Sequence, residues 1–182
     1  EGVVRGQTYK SPKSSSRLFE RIWVIYTSVP ELPLPLFMVP EEHLEFFNAV
    51  WTRLTPFTYI FFGINIVIFL LMAFAGGSTN EATLMAFGVK SNTEINQGQY
   101  WRFVTPIFIH IGLLHLLFNS YALYIVGPQV EKLYGSARFV MLYLLTGVAG
   151  VFGSYLYHPQ SVSAGASGAI FGLIGLLIGH AI

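Results

Sequence analysis

Four long apolar stretches constrain the fold of this chain more than any other feature of its sequence. They cover residues 57–75, 107–126, 139–157 and 166–182. A helix rises about 1.5 Å per residue, so about 20 apolar residues cross the roughly 30 Å hydrocarbon core of a bilayer. We therefore predict an all-α, polytopic membrane protein whose transmembrane helices follow these stretches.

The composition supports a lipid-facing surface and excludes several kinds of site. Only 10% of the residues are charged, whereas soluble domains have about a quarter. A net charge of +1 gives no indication of a nucleic-acid partner. The chain has no cysteine and no aspartate, which excludes a thiolate metal site, a cysteine nucleophile and a Ser-His-Asp triad within it. We expect the bilayer as a partner, and neither a metal nor a cofactor.

The first part of the chain differs from the rest. Residues 1–17 are basic and serine-rich, and prolines between positions 30 and 40 disfavour a long helix. We predict that residues 1–55 form a cytosolic, partly disordered segment and that residues 56–182 form a membrane domain. Most basic residues near the spans lie before the first span or in the connection 127–138, so the positive-inside rule places the N-terminus in the cytosol. We expect the membrane to be the plasma membrane.

Several polar residues interrupt the spans, and such groups are costly in hydrocarbon. His115 and Asn119 are four residues apart, which places them on one face of the second span. His110 lies near the outer end of that span. Ser167 lies near the start of the fourth span, between Gly165 and Gly168. The predicted topology puts His110, His115 and Ser167 toward the extracellular side.

Each of these features also has a purely structural interpretation. A serine in a transmembrane helix commonly bonds the carbonyl one turn back, and a His-Asn pair can simply join two helices. Glycines in the fourth span recur every three or four residues, a pattern typical of closely packed membrane helices. A catalytic site is favoured by the coincidence of a glycine-flanked serine at the mouth of a buried helix with a His-Asn face on another span.

These residues resemble the motifs of the rhomboid family of intramembrane serine proteases. The G-x-S-G motif stands at 165–168, and the H-x4-H-x3-N motif stands at 110–119. The family's W-R pair is similar to Trp101-Arg102, and its E-x3-G-S segment is similar to 131–136. The resemblance covers about residues 57–182, with four motifs in the family's order and spacing.

The resemblance implies a rhomboid-like helical bundle, with four of the six core transmembrane helices present here. It also implies a serine-type endopeptidase that cleaves transmembrane or juxtamembrane segments of other membrane proteins with a Ser-His dyad. Ser167 would be the nucleophile, and His115 and Asn119 would form the oxyanion hole. The residues expected to support this site are His110, Gly165, Gly168, Trp101 and Arg102.

The family's general base is a histidine on the sixth span, and no residue of this chain matches it. His180 lies thirteen residues beyond Ser167 on the same span, which is about 20 Å along a helix. We therefore expect the chain to be part of a longer protein, and we expect residues 1–182 to be inactive when made alone.

Two other classes of function remain open from the sequence. One is a non-catalytic rhomboid-like protein that binds transmembrane clients, although such a protein has no chemical need for the serine and histidine motifs. The other is a transporter or channel component that moves protons through its intramembrane histidines. Spans interrupted near the midplane would favour a transporter, whereas the polar cluster here lies toward one side.

Overall fold

The computed structural model describes residues 49–181, so most of the predicted N-terminal segment 1–55 lies outside the described residues. The described part is helical, as predicted, and its strand-like pairing is limited to a single bridge between Lys90 and Ser163. Two 3₁₀ turns cover Tyr100–Phe103 and Thr105–Phe108. The α-helices are α1 (Pro56–Phe74), α2 (Glu81–Phe87), α3 (Asn92–Asn96), α4 (Leu113–Tyr134), α5 (Ser136–Tyr157) and α6 (Ser167–Ala181).

By length and composition, two helical runs among the described residues can cross a membrane. They are Ala49–Phe74, which ends with α1, and Ser136–Tyr157, which is α5. The apolar helix α6 is shorter. Large apolar side chains of α1 lie on the surface, including Val67 at 55% exposure and Phe74 at 89%. Exposing such a surface to water is unfavourable, whereas exposing it to lipid is not. The chain is therefore an integral membrane protein.

The prediction that the second span is a helix over residues 107–126 was wrong at both ends. Residues 105–108 form a 3₁₀ turn, and Gly112 has a φ of +82°, so α4 begins only at Leu113. The helix then continues through Pro128 to Tyr134, where the sequence predicted a connection. Along this continuation, a Cβ on Gly127 would lie 2.6 Å from the Thr58 Cγ2. The missing side chain lets α4 pack closely against α1 in this region.

Hydrogen bonds to Glu131 link the end of α4 to the start of α1. Its carboxylate accepts hydrogen bonds from the backbone N–H groups of Phe57, at 3.1 Å, and Thr58, at 2.8 Å. It also accepts from the hydroxyls of Thr58, at 2.8 Å, and Ser136, at 2.7 Å. These donors satisfy a carboxylate that is only 1% exposed. The starts of α1 and α5 therefore meet the end of α4 at one end of the bundle.

Aromatic side chains fill the centre of the bundle. The rings of Phe61 from α1 and Tyr143 from α5 are stacked, with centroids 4.3 Å apart. Phe139 packs against both, at 6.0 and 6.2 Å between centroids. Leu123 from α4 and Leu173 from α6 are fully buried in the same cluster. All four long helices thus share one core.

Glycines bring α5 and α6 into backbone contact near the start of α6. An added Cβ on Gly150 would lie 3.0 Å from the Cα of Gly168. One turn further along α6, Gly172 leaves room for the side chain of Thr146. Gly175 and Gly179 have nothing within 4 Å of an added Cβ. Within the described residues, the glycines that recur along the fourth span therefore allow close packing only in its first half.

Candidate active site

His115 and Asn119 lie one turn apart at the start of α4. The Asn119 Nδ2 donates a hydrogen bond to the His115 carbonyl oxygen at 2.9 Å, which orients the amide. The Ile111 backbone N–H donates to the His115 Nδ1 at 3.3 Å. Because this bond makes Nδ1 an acceptor, a neutral imidazole carries its proton on Nε2. His115 then presents an N–H donor on its other side.

The segment that leads into α6 passes directly over this imidazole. Gly165 has a φ of +120°, and a Cβ there would lie 2.6 Å from both Cε1 and Nε2 of His115. The same position would be 3.8 Å from the Asn119 Nδ2. The Gly165 N–H donates to the Pro106 carbonyl oxygen at 2.8 Å, which fixes the segment. A side chain at Gly165 would both strain the backbone and strike the imidazole.

Ser167 is the first residue of α6 and is half-buried. The first backbone N–H groups of a helix have no acceptor within the helix, and they lie at the positive end of its dipole. Ser167 and Asn119 line the same cavity of about 220 Å³. Ser167 also lines a second cavity of about 160 Å³ on the side of α5, together with Gly150 and Ser154. The structure therefore brings Ser167, Gly165, His115 and Asn119 together.

Comparisons with known proteins agree with the motifs. A family profile described as Rhomboid domain matches residues 97–182. The chain is 48% identical over 146 residues to "Rhomboid protease GluP" of Bacillus subtilis (strain 168), a match that covers 80% of this chain and 29% of that protein. The chain belongs to the rhomboid family.

Other rhomboid relatives match shorter parts of the chain. "Putative rhomboid protease YdcA" of Bacillus subtilis (strain 168) is 43% identical over 88 residues, which cover 48% of this chain and 44% of that protein. "Rhomboid-like protease 3" of Toxoplasma gondii is 38% identical over 96 residues, which cover 53% of this chain and 36% of that protein. The chain thus spans less than half the length of these relatives.

His110, the first histidine of the rhomboid motif, lies outside α4 and is fully buried. Its Nδ1 lies 3.3 Å from the Phe108 carbonyl oxygen. Its ring centroid is 5.3 Å from that of His115, with 60° between the ring planes. His110 therefore packs behind His115 and restricts where the second imidazole can lie.

The two residues of the rhomboid W-R pair have different environments. The buried Arg102 guanidinium donates to the carbonyl oxygens of Val89, at 2.8 Å, and Met85, at 3.0 Å, and to the Gln99 Oε1 at 2.8 Å. It thereby closes the loop that follows α2. Trp101 is 56% exposed, which suits a membrane interface. The contacts of Arg102 are with residues 85–99, so it supports this loop and does not contact Ser167.

His180 lies at the end of α6 opposite Ser167. Its ring centroid is 6.0 Å from that of Tyr134, at the end of α4. The structure therefore agrees with the expectation that His180 does not act on Ser167. Within the residues that the structure describes, no group of three or more His, Cys, Asp or Glu side chains is arranged to hold a metal ion.

Lys90 is a buried residue near the site that the sequence did not single out. Lys90 is fully buried, and its Nζ donates to the carbonyl oxygens of His158, at 2.7 Å, and Ser161, at 2.9 Å. Both acceptors precede Ser167 on the connection between α5 and α6. A lone lysine in a loop has no periodic pattern, so the sequence carried no signal for this contact.

Proposed function

We propose that this chain carries the nucleophile and the oxyanion hole of an intramembrane serine endopeptidase. Ser167 is the nucleophile, and it attacks the carbonyl carbon of a peptide bond in a transmembrane or juxtamembrane segment of another protein. The observation that carries the proposal is the contact of Gly165 with the His115 imidazole. Two residues before Ser167, an added Cβ on Gly165 would lie 2.6 Å from the His115 Nε2 and 3.8 Å from the Asn119 Nδ2, which supports a site with two neutral hydrogen-bond donors near the start of α6.

The tetrahedral intermediate of acyl transfer carries a developing negative charge on oxygen, which preorganised donors stabilise. The Ser167 backbone N–H lies at a helix start, where it has no intrahelical acceptor. The His115 Nε2–H and the second Nδ2–H of Asn119 supply neutral donors close to it. Neutral donors suit this depth, since a lysine or arginine would be costly to bury there.

A serine hydroxyl becomes an effective nucleophile when a base removes its proton. His115 is assigned to the oxyanion hole, because its Nδ1 accepts from Ile111 and its Nε2 carries the proton. The rhomboid resemblance assigns the base to a histidine on a later span. We therefore place the base outside residues 49–181.

The decisive experiment is cleavage of a transmembrane reporter by the full-length polypeptide that contains this chain. Ser167→Ala is expected to abolish cleavage, because no other group then supplies the attacking oxygen. Ser120→Ala is the control, since Ser120 is a buried serine whose hydroxyl has no hydrogen-bond partner among the described residues. Unchanged turnover by the Ser167→Ala protein would refute the proposed function.

We further propose that the N-terminus is cytosolic, that the end of the bundle carrying Ser167 faces outward and that the protein resides in the plasma membrane. Residues 1–182 contain no cysteine, so a single introduced cysteine is the only one in this part of the protein. In intact cells, a membrane-impermeant maleimide should label Gln160→Cys, in the connection before Ser167. It should leave Arg138→Cys, at the start of α5, unlabelled. The reverse pattern would overturn the orientation.

A further inference from the structure

The connection between α5 and α6 is held by the loop that follows α2. Lys90 supplies the strongest of these contacts, because its ammonium group donates to two carbonyl oxygens of the connection at 2.7 and 2.9 Å. The acceptors, His158 and Ser161, are three residues apart. One side chain therefore fixes the first part of the connection at two points.

The same loop holds the connection further along. The backbones of Lys90 and Ser163 exchange two hydrogen bonds, at 3.1 and 3.3 Å. The Asn92 Nδ2 donates to the Tyr155 carbonyl oxygen at 2.9 Å, just before the connection begins. Two residues beyond Ser163 is Gly165, which contacts His115, and Ser167 follows. The contacts thus hold the connection from His158 to Ser163, which is two residues before Gly165.

Burial of a charged amine is costly unless hydrogen bonds compensate for the lost water. Lys90 is fully buried, and its ammonium group donates to two carbonyl oxygens. Burial lowers the pKa of Lys90 below its ordinary value. An apolar residue would fill the same volume without this cost, so the feature that distinguishes lysine here is its ability to bond two carbonyl oxygens at once.

We propose that Lys90 is a positioning residue for Ser167, an inference that rests on the proposed function. By holding the carbonyl oxygens of His158 and Ser161, Lys90 keeps Gly165 against His115 and keeps the start of α6 at a fixed distance from the oxyanion donors. Without the ammonium group, the connection keeps its backbone bonds at Ser163 and Gly165 but loses the Lys90 side-chain contacts at His158 and Ser161, so it can shift. Misplacement of reacting groups by about 1 Å can cost on the order of 10²-fold in rate.

The test compares Lys90→Met, Lys90→Arg and the control Lys132→Met in the full-length polypeptide. Lys132 lies at the opposite end of the bundle, with its Nζ 5.0 Å from the centroid of the Trp51 ring. For each variant, kcat and KM on a transmembrane reporter, the rate of Ser167 modification by a fluorophosphonate and the unfolding temperature are measured in detergent. The activity assays are run well below the unfolding temperature of every variant.

Lys90→Met is expected to lower kcat and the fluorophosphonate rate by roughly 10- to 10²-fold per folded molecule, with little change in KM. Lys90→Arg should restore part of the loss, because a guanidinium can also donate to two carbonyl oxygens. Lys132→Met should leave kcat unchanged. A lower unfolding temperature with unchanged kcat for Lys90→Met would show a merely structural role and would overturn the proposal.

A second variant keeps the test decisive if Lys90→Met does not fold. Asn92→Ala removes the neighbouring contact with Tyr155. We expect a smaller fall in kcat than for Lys90→Met, again with little change in KM. Unchanged kcat would contradict the proposal. Failure of the proposed function would look different, because Ser167→Ala would then retain cleavage while Lys90 is intact.

Discussion

Gly165→Ala is the perturbation whose consequence follows most directly from the geometry. Gly165 has a φ of +120°, a region that residues with a Cβ rarely adopt, and forcing alanine there costs about 1–3 kcal/mol. The new methyl group would also lie 2.6 Å from Cε1 and Nε2 of His115, so the imidazole or the Ser167 segment must move. Loss of one oxyanion donor typically costs about 10²- to 10³-fold in kcat.

Gly77→Ala is the matched control for backbone strain. Gly77 has a φ of +107°, and an added Cβ there has nothing within 4 Å. Both variants should lose stability through backbone strain when unfolding is followed in detergent, and Gly165→Ala should lose more because of its contact with His115. Only Gly165→Ala should lose cleavage of a transmembrane reporter, by about 10²- to 10³-fold per folded molecule. If Gly165→Ala retained the kcat of the parent protein, the inferred contact between the serine segment and the imidazole would be refuted.

Two further predictions concern stability. Thr58→Val keeps the shape of the side chain but removes its hydrogen bond to Glu131, so the free energy of unfolding should fall by about 1.5–3 kcal/mol. An unchanged unfolding temperature would show that this buried bond contributes nothing. Gly150→Ala places a methyl group 3.0 Å from the Gly168 backbone and should destabilise by about 1–3 kcal/mol. Gly153→Ala, on the same helix with nothing within 4 Å, should stabilise by up to about 1 kcal/mol. Thermal unfolding of the pair in detergent checks the contrast, and equal effects would contradict it.

The fold class could be predicted from the sequence because apolar length alone determines what can cross a membrane. The ends of α4 could not be predicted in the same way. Hydropathy continues through residues 107–112, but the positive φ of Gly112 starts the helix later. The polar end of α4 lies beyond the apolar stretch, and it is helical because Glu131 bonds the start of α1. That contact joins residues more than 70 positions apart, so no local pattern shows it.

The sequence also predicted which residues should meet at the candidate site, because two motifs on separate spans had the spacing of one known family. The structure brings Gly165 and Ser167 beside His115 and Asn119, and their catalytic roles stay a prediction. Spacing could not reveal that Gly165 lies against the imidazole, or that Lys90 holds the connection before Ser167. Both depend on how a loop of irregular backbone packs on the ends of the long helices.

In the proposed mechanism, Ser167 is an activated nucleophile beside an oxyanion hole. The most direct measurement is to treat the full-length polypeptide in membranes with a fluorophosphonate and to map the modified residue by peptide mass spectrometry. We expect a covalent adduct on Ser167 that forms in step with the loss of reporter cleavage. Complete loss of cleavage with an adduct on a different residue, or full cleavage with Ser167 quantitatively modified, would contradict it.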